Sequence, residues 1–204
     1  MKFFLFLLLA LPAFCADDLA GTYELSGVRE VGSSLLLKVD GKFEYMFVYG
    51  AADYMAEGIW KRDGDFVVLN TSGNKGEGFR LVSSAAGSAE EIRVTLQGAG
   101  GQKVPNIDVL VQTGGETLKG RTDSDGIARF EPNANIKGIG FSIRVYSYES
   151  KMYPVNAAHR DFVFEINGAA ITTVFFENER LAIDGKTLEL RYWNKDRPMK
   201  YTKN

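Results

Sequence analysis

The residues that most suggest chemistry lie in the stretch GRTDSDGIARF, residues 120–130, where Asp123 and Asp125 flank a serine and precede Gly126. Two carboxylates this close could hold a calcium ion or act as an acid and base pair. An EF-hand loop continues its oxygen ligands past the glycine to a bidentate glutamate, whereas apolar residues follow Gly126. We therefore predict a structural turn, in which both aspartates accept backbone N–H bonds and Gly126 adopts a positive φ. Calcium binding and catalytic carboxylates are the alternatives.

His159 is the only histidine in the chain. A single histidine lacks the partners that a metal site needs, so we expect no metal and no cofactor. We predict a loop histidine that bonds to the backbone, and we assign no catalytic residue. The alternative is a hydrolase in which His159 works with an acid from Asp123, Asp125 or Asp161, since triad members meet only in space. No G-x-S-x-G nucleophile motif is present.

Aromatic residues crowd the stretch YGAADYMAEG, residues 49–58, and Trp60 follows it. We interpret the stretch as a loop between strands. Aromatic side chains with one polar group suit a ligand site at the mouth of a barrel, so the candidate ligand-binding residues are Tyr49, Asp53, Tyr54 and Trp60. Packing at the rim of a small barrel is the alternative.

The stretch RYWNKDRPMKY, residues 191–201, mixes basic and aromatic side chains, which is a pattern found in nucleic-acid binders. The whole chain carries a formal net charge of −2, however, and lacks a basic face. We interpret the stretch as a solvated terminal strand and predict no nucleic-acid partner.

Period-two alternation of apolar residues predicts an all-β chain. In KFEYMFVYG, residues 42–50, the aromatic residues Phe43, Tyr45, Phe47 and Tyr49 share one face. The pairs Asp40-Gly41, Asp63-Gly64 and Asp184-Gly185 predict type I′ hairpin turns, in which both residues have positive φ.

The region of residues 89–168 resembles the carboxypeptidase regulatory-like, or transthyretin-like, family of β-sandwiches. The similar segments are a strand ending at Gly98, Val104-Pro105 leading into IDVLV, then TDSDGIARF, and the later pair FSIRVYSYESKMYPV. The resemblance implies an accessory or adhesive module without catalysis, and it implies that TDSDG is a structural turn.

The N-terminal part resembles small lipocalin-like barrels of bacterial envelope proteins. The similar motifs are Gly21-Thr22-Tyr23, VDGKF, Gly58-Ile59-Trp60 and GDFVV, and the ending TLELRYWNKDRPMKYTKN resembles the final strands of such barrels. We therefore predict a discontinuous barrel, residues 17–88 and 169–204, with the sandwich of residues 89–168 inserted in a loop. Two tandem domains are the alternative.

The opening MKFFLFLLLALPAFC has the layout of a secretory signal peptide, and we assign it to residues 1–15. Cleavage after Cys15 or after Ala16 is open. The apolar run is shorter than the roughly 20 residues that span a bilayer, so we expect no transmembrane segment after signal removal. The chain is expected to be periplasmic or secreted, with lipid attachment at Cys15 as the alternative.

These features favour a non-enzymatic secreted or cell-envelope protein, in which an antiparallel β-barrel and an immunoglobulin-like or transthyretin-like β-sandwich form a ligand-binding or protein-interaction module. Its partner would be a small molecule or an envelope protein. The periplasmic hydrolase that uses His159 is the alternative function.

Overall fold

The computed structural model describes residues 18–88, 90–132 and 135–204. The predicted signal peptide and Cys15 lie outside the described residues. The strands are β1 (Gly21–Leu25), β2 (Val31–Leu37), β3 (Lys42–Tyr49), β4 (Ala52–Asp63), β5 (Phe66–Thr71), β6 (Phe79–Ala85), β7 (Ile92–Gln97), β8 (Asp108–Gln112), β9 (Thr117–Arg121), β10 (Ile127–Phe130), β11 (Gly138–Ile143), β12 (Tyr148–Glu149), β13 (Tyr153–Pro154), β14 (Asp161–Ile166), β15 (Glu179–Asp184), β16 (Thr187–Leu190) and β17 (Met199–Lys203).

The chain divides into two compact units. The first contains the described residues up to Phe47, together with Ala56–Ser72 and Phe176–Asn204. The second contains Val48–Met55 and Gly73–Phe175. The strand β6 therefore falls in the second unit and not with the barrel, for which the sequence predicts residues 17–88 and 169–204.

A closed antiparallel barrel forms from eight strands in the order β1-β17-β16-β15-β5-β4-β3-β2. The first and last strands complete it, with Tyr23 opposite Lys203 and Leu25 opposite Tyr201. Closure leaves the barrel without unpaired strand edges. The predicted fold class, an all-β chain with a small antiparallel barrel, is confirmed.

The three Asp-Gly pairs lie at hairpin turns, but the predicted turn type is wrong. Positive φ occurs at the glycine of each pair and not at the aspartate, as at Gly64 with φ of 59°. A type I′ turn needs positive φ at both central residues. Because β4 ends at Asp63 and β5 begins at Phe66, the central residues are Gly64 and Asp65, and only the first has the left-handed conformation.

Alternating residues of β3 fill the barrel interior. Phe43, Tyr45 and Phe47 are buried, which confirms the predicted apolar face, while Tyr49 at the strand end is exposed. Buried side chains from the other strands meet them, including Tyr23, Leu35, Trp60, Leu69, Leu181, Leu188 and Tyr201. Burial of this apolar area contributes most of the stability of such a barrel.

The second unit has two sheets around one core. One sheet has the order β10-β7-β14-β6, and the other has the order β12-β11-β8-β9 with β13 paired to β11. Side chains from both sheets share a buried cluster, which includes Val94, Leu96, Val109, Val111, Phe141, Phe162 and Phe164. This arrangement is sandwich-like.

Helical structure is sparse in the described part of the chain. The helix α1 spans Gly168–Thr172, and the side chain of Asn167 caps its beginning. A 3-10 turn covers Arg144–Tyr146. Within residues 18–88, 90–132 and 135–204, no helix reaches the length and apolar character required to cross a bilayer.

Candidate functional site

The aspartate pair forms a turn between the β9 and β10 strands. The Asp123 carboxylate accepts the backbone N–H groups of Asp125 at 2.9 Å and Ile127 at 3.0 Å, and it pairs with Arg129 at 2.5 Å. Those backbone bonds and the arginine hold the pKa of Asp123 below its usual value. Gly126 has φ of 74°, as predicted. An aspartate engaged in this way stabilises a turn.

Asp125 differs from the prediction, because its carboxylate forms an ion pair with Lys103. Among the contacts of the described residues, Asp123 accepts backbone N–H groups and Asp125 does not. Among the described residues, no group of three or more His, Cys, Asp or Glu side chains is arranged to hold a metal ion.

His159 bonds to two side chains. Its Nδ1 lies 2.7 Å from the Ser84 hydroxyl oxygen, and its Nε2 lies 3.3 Å from the Asn156 side-chain nitrogen. The Asn156 side-chain oxygen accepts the Ala158 backbone N–H at 3.0 Å, which fixes the orientation of the amide. Asn156 therefore donates to Nε2, so in the neutral ring the proton is on Nδ1 and points toward Ser84.

The histidine–carboxylate pairing that the hydrolase alternative requires is not among the contacts of the described residues. The three proposed acids bond to basic side chains: Asp123 to Arg129, Asp125 to Lys103 and Asp161 to Arg93. The prediction that His159 bonds to the backbone is also inaccurate, since its ring partners are the Ser84 and Asn156 side chains.

The candidate ligand residues divide between the two units. Asp53 and Tyr54 come together with Tyr146 in the second unit. The Tyr146 hydroxyl donates to the Asp53 carboxylate at 2.6 Å, and the Tyr54 hydroxyl donates to the Tyr146 carbonyl at 3.1 Å. The hydrogen bond with Asp53 raises the pKa of Tyr146. Tyr49 is 58% exposed.

The prediction of a loop over residues 49–58 is wrong. The strand β3 continues to Tyr49, the turn is limited to Gly50 and Ala51, and β4 begins at Ala52. Gly50 has a positive φ, which allows a turn this short, so both strands extend into the stretch.

Trp60 lies in the first unit as a packed side chain. It is 6% exposed, and its indole N–H donates to the Lys38 carbonyl at 2.9 Å. Hydroxyl groups also form a network in the barrel core: Tyr201 bonds to Ser33 at 2.8 Å and to Tyr45 at 3.2 Å. The Trp193 indole N–H completes the network by donating to Tyr45 at 2.8 Å. Burial raises the pKa of both tyrosines.

A surface groove beside β6 in the second unit has the composition of a binding site. Its volume is about 440 Å³, within the range of ligand pockets. Apolar residues form part of its lining and charged residues the rest; the lining is Glu77, Phe79, Arg80, Leu81, Lys151, Tyr153, Glu165 and Asn167. We call it the β6 groove.

Two ion pairs and one tyrosine organise the β6 groove. Glu77 bonds to Lys151 at 2.7 Å and accepts the Tyr153 hydroxyl at 3.1 Å, while Arg80 pairs with Glu165 at 2.9 Å. The bond with Lys151 lowers the pKa of Glu77. Burial, followed by the bond to Glu77, raises the pKa of Tyr153 to about 12. The groove therefore offers donors, acceptors and an aromatic surface without excess charge of either sign.

A second depression in the same unit, of about 470 Å³, is lined mainly by charged side chains: Glu90, Glu91, Lys119, Arg129 and Glu131, with Leu118 and Phe130. Its Arg129 is engaged with Asp123 and Glu91. The β6 groove has the larger share of apolar residues in its lining, so it is the better candidate for ligand binding.

No motif in the sequence indicates the β6 groove. Its residues come from the segments near 77–81, 151–153 and 165–167, which are distant in sequence. The one available signal was Arg80, a charged residue between apolar Phe79 and Leu81, and it does not indicate a partner.

Comparisons with known proteins give no relative for this chain: no family model matches it, and neither a curated protein nor a solved structure matches it.

Proposed function

We propose that the chain is a non-enzymatic binding or interaction module whose binding site is the β6 groove. The groove itself carries the proposal, because it joins an apolar floor with fixed donors and acceptors in a volume of about 440 Å³. The occupant would be a small molecule or a segment of an envelope protein. Tyr49, Asp53 and Tyr54 form the second candidate site.

The proposal includes a resemblance of each unit to a known family of β proteins. The closed eight-stranded barrel supports the lipocalin-like resemblance, and the two sheets around one core support the transthyretin-like resemblance. Both rest on short motifs and strand order. A lipocalin-like carrier would bind inside the barrel, but aromatic side chains occupy that interior here, including Phe43, Tyr45 and Tyr201.

The proposed location is the periplasm or the outside of the cell. Its support is the sequence MKFFLFLLLALPAFC, with lipid attachment at Cys15 as the alternative. Mass spectrometry of the protein purified from its own cells would show whether the mature chain begins after Cys15 or after Ala16, or carries an acyl group.

The binding proposal is tested by titrating the isotope-labelled chain with a set of small-molecule fragments and short peptides, and by following backbone amide signals. We expect shifts at Arg80, Leu81 and Tyr153. Leu81→Glu should abolish the binding, because it places an unpaired carboxylate against an apolar floor.

Val39→Glu is the matched control. Val39 is 71% exposed in the first unit, so this substitution should leave binding unchanged. Shifts confined to Tyr49, Asp53 and Tyr54 would contradict the β6 groove as the site and favour the second candidate.

The hydrolase alternative has one favourable observation, the 2.7 Å contact between Ser84 and His159. A base for Ser84 would need a free lone pair on Nδ1, and Asn156 instead favours a proton there. The hydrolase alternative would be supported if the chain hydrolyses an ester and if His159→Gln abolishes this activity while the fold is retained.

A further inference from the structure

The strand β6 is an end strand of its sheet, and its free edge is better suited to pairing with another chain than the other sheet edges are. In the described part of the second unit, the other end strands are short or basic: β10 has four residues, β12 has two, and β9 carries Lys119 and Arg121. Short or charged end strands resist pairing with other chains. The strand β6 has seven residues, one of them charged, and β14 is its only partner among the described strands.

At alternate residues, the β6 backbone directs its N–H and C=O groups away from β14. The Asn167 N–H donates to the Gly78 carbonyl at 2.8 Å, and Arg80 lies opposite Glu165. In an antiparallel pair, residues alternate between facing the partner and facing away. Phe79 and Leu81 therefore direct their N–H and C=O groups to the free edge.

Tyr153 covers part of this edge. Its hydroxyl receives the Phe79 backbone N–H and donates to Glu77 at 3.1 Å. Lys151 lies over its ring, 5.3 Å from the centroid. Tyr153 thus occupies the position at which the carbonyl of an added strand would bond to Phe79.

The side chains of β6 define what an added strand would need. Phe79 and Leu81 line the β6 groove, so residues beside them must be apolar. The side chain of Arg80, between them in the strand, lies at the rim of the groove, where it pairs with Glu165 and is 65% exposed. Arg80 already pairs with Glu165 at 2.9 Å, so an acidic residue of an added strand would share its guanidinium with Glu165.

We infer that the β6 edge receives an extended segment of a partner protein as an added strand, with apolar residues at alternate positions and an acidic residue between them. The inference rests on the proposed function, since it specifies the occupant of the β6 groove. Main-chain bonds to Leu81 give the affinity, and the apolar and acidic side chains give the selectivity. The bulge at Val82 confines the pairing to the beginning of β6.

The test titrates the full isotope-labelled chain with a capped pentapeptide of alternating valine and glutamate. We expect shifts of the Leu81 and Arg80 amides. A peptide methylated on its backbone nitrogens should lose the binding, because it cannot donate the main-chain bonds. A peptide with lysine in place of glutamate should bind about threefold more weakly.

Tyr153→Phe provides a gain-of-binding variant, since it frees the Phe79 N–H for the peptide. Affinity for the valine–glutamate peptide should rise about fivefold, the value of one hydrogen bond. Equal binding of the methylated peptide, or shifts confined to residues that do not line the β6 groove, would overturn the inference.

The two proposals fail separately. If fragments bind in the β6 groove but the valine–glutamate peptide does not, strand addition is wrong and the proposed function stands. If neither fragments nor peptides shift the groove signals, both are wrong.

Discussion

The hydroxyl network inside the barrel gives a stability prediction that can be worked from the structure. Tyr201 is fully buried, and its hydroxyl bonds to Ser33 at 2.8 Å and to Tyr45 at 3.2 Å. Tyr201→Phe removes both bonds without changing the ring. A buried hydrogen bond contributes about 1 kcal/mol, so we expect a loss of about 2 kcal/mol in the free energy of unfolding.

The remaining partners decide the size of that loss. Ser33 still donates to the Met46 carbonyl at 2.6 Å, and Tyr45 still receives the Trp193 indole N–H at 2.8 Å. Because Ser33 gives its proton to the Met46 carbonyl, Tyr201 donates to Ser33 and Tyr45 donates to Tyr201. The Tyr45 O–H therefore loses its acceptor in Tyr201→Phe, so the loss should be no smaller than about 2 kcal/mol.

The assay is urea unfolding followed by tryptophan fluorescence. The chain has two tryptophans, Trp60 and Trp193, and both belong to the first unit, so the signal reports on the barrel. Tyr49→Phe is the matched control, because Tyr49 is 58% exposed and its variant should unfold like the parent.

A double-mutant cycle with Ser33→Ala isolates the bond between the two residues. We expect the double variant to lose about 1 kcal/mol less than the sum of the two single variants. Equal stability of Tyr201→Phe and Tyr49→Phe, or strict additivity in the cycle, would refute the network as a stabilising feature.

Two further predictions concern the second unit. The pKa of Tyr153 is raised to about 12, so the unfolded chain, with a tyrosine pKa near 10.0, loses this proton first as the pH rises. The contribution of Tyr153 to the free energy of unfolding is therefore complete below about pH 10 and declines up to about pH 12. Tyr153→Phe lacks this proton, so its stability should fall less than that of the parent chain between these pH values. Unfolding followed by circular dichroism would measure the difference. Gly126→Ala should destabilise the chain by about 2 kcal/mol, because Gly126 has positive φ and an added Cβ would lie 2.6 Å from the Leu96 carbonyl oxygen. Gly64 also has positive φ, but an added Cβ there would lie in open space. Gly64→Ala should therefore destabilise the chain less than Gly126→Ala. Equal losses of stability in thermal unfolding would show that the contact with Leu96 is unimportant.

Much of the barrel follows from local pattern. Alternation places Phe43, Tyr45 and Phe47 on one side of a strand, and burial of that side is what an antiparallel barrel needs. The interior network was not predictable in the same way. Ser33 and Tyr201 are 168 residues apart, so their contact depends on the register of strands that close the barrel.

The turn types and strand ends were harder to predict from the sequence. Asp-Gly indicates a tight turn but not its type, because glycine alone supplies the positive φ at Gly64. The stretch after Tyr49 resembles a loop in composition, yet the Gly50-Ala51 turn is so short that β4 begins at Ala52.

The candidate site could be predicted least. The β6 groove arises where the end of one strand meets Lys151 and Tyr153 from a distant segment, and no local pattern encodes that meeting. Asp123 was predictable as a turn residue because its bonds are to groups within six positions. The Asp125 contact with Lys103 spans 22 positions and was not.

The most direct test of the central claim is hydrogen exchange at the Leu81 amide, measured with and without the valine–glutamate peptide. The account predicts that this amide is open to exchange in the free chain, since it faces away from β14, and that the peptide protects it. Unchanged exchange at Leu81 under conditions in which the peptide binds would contradict the account.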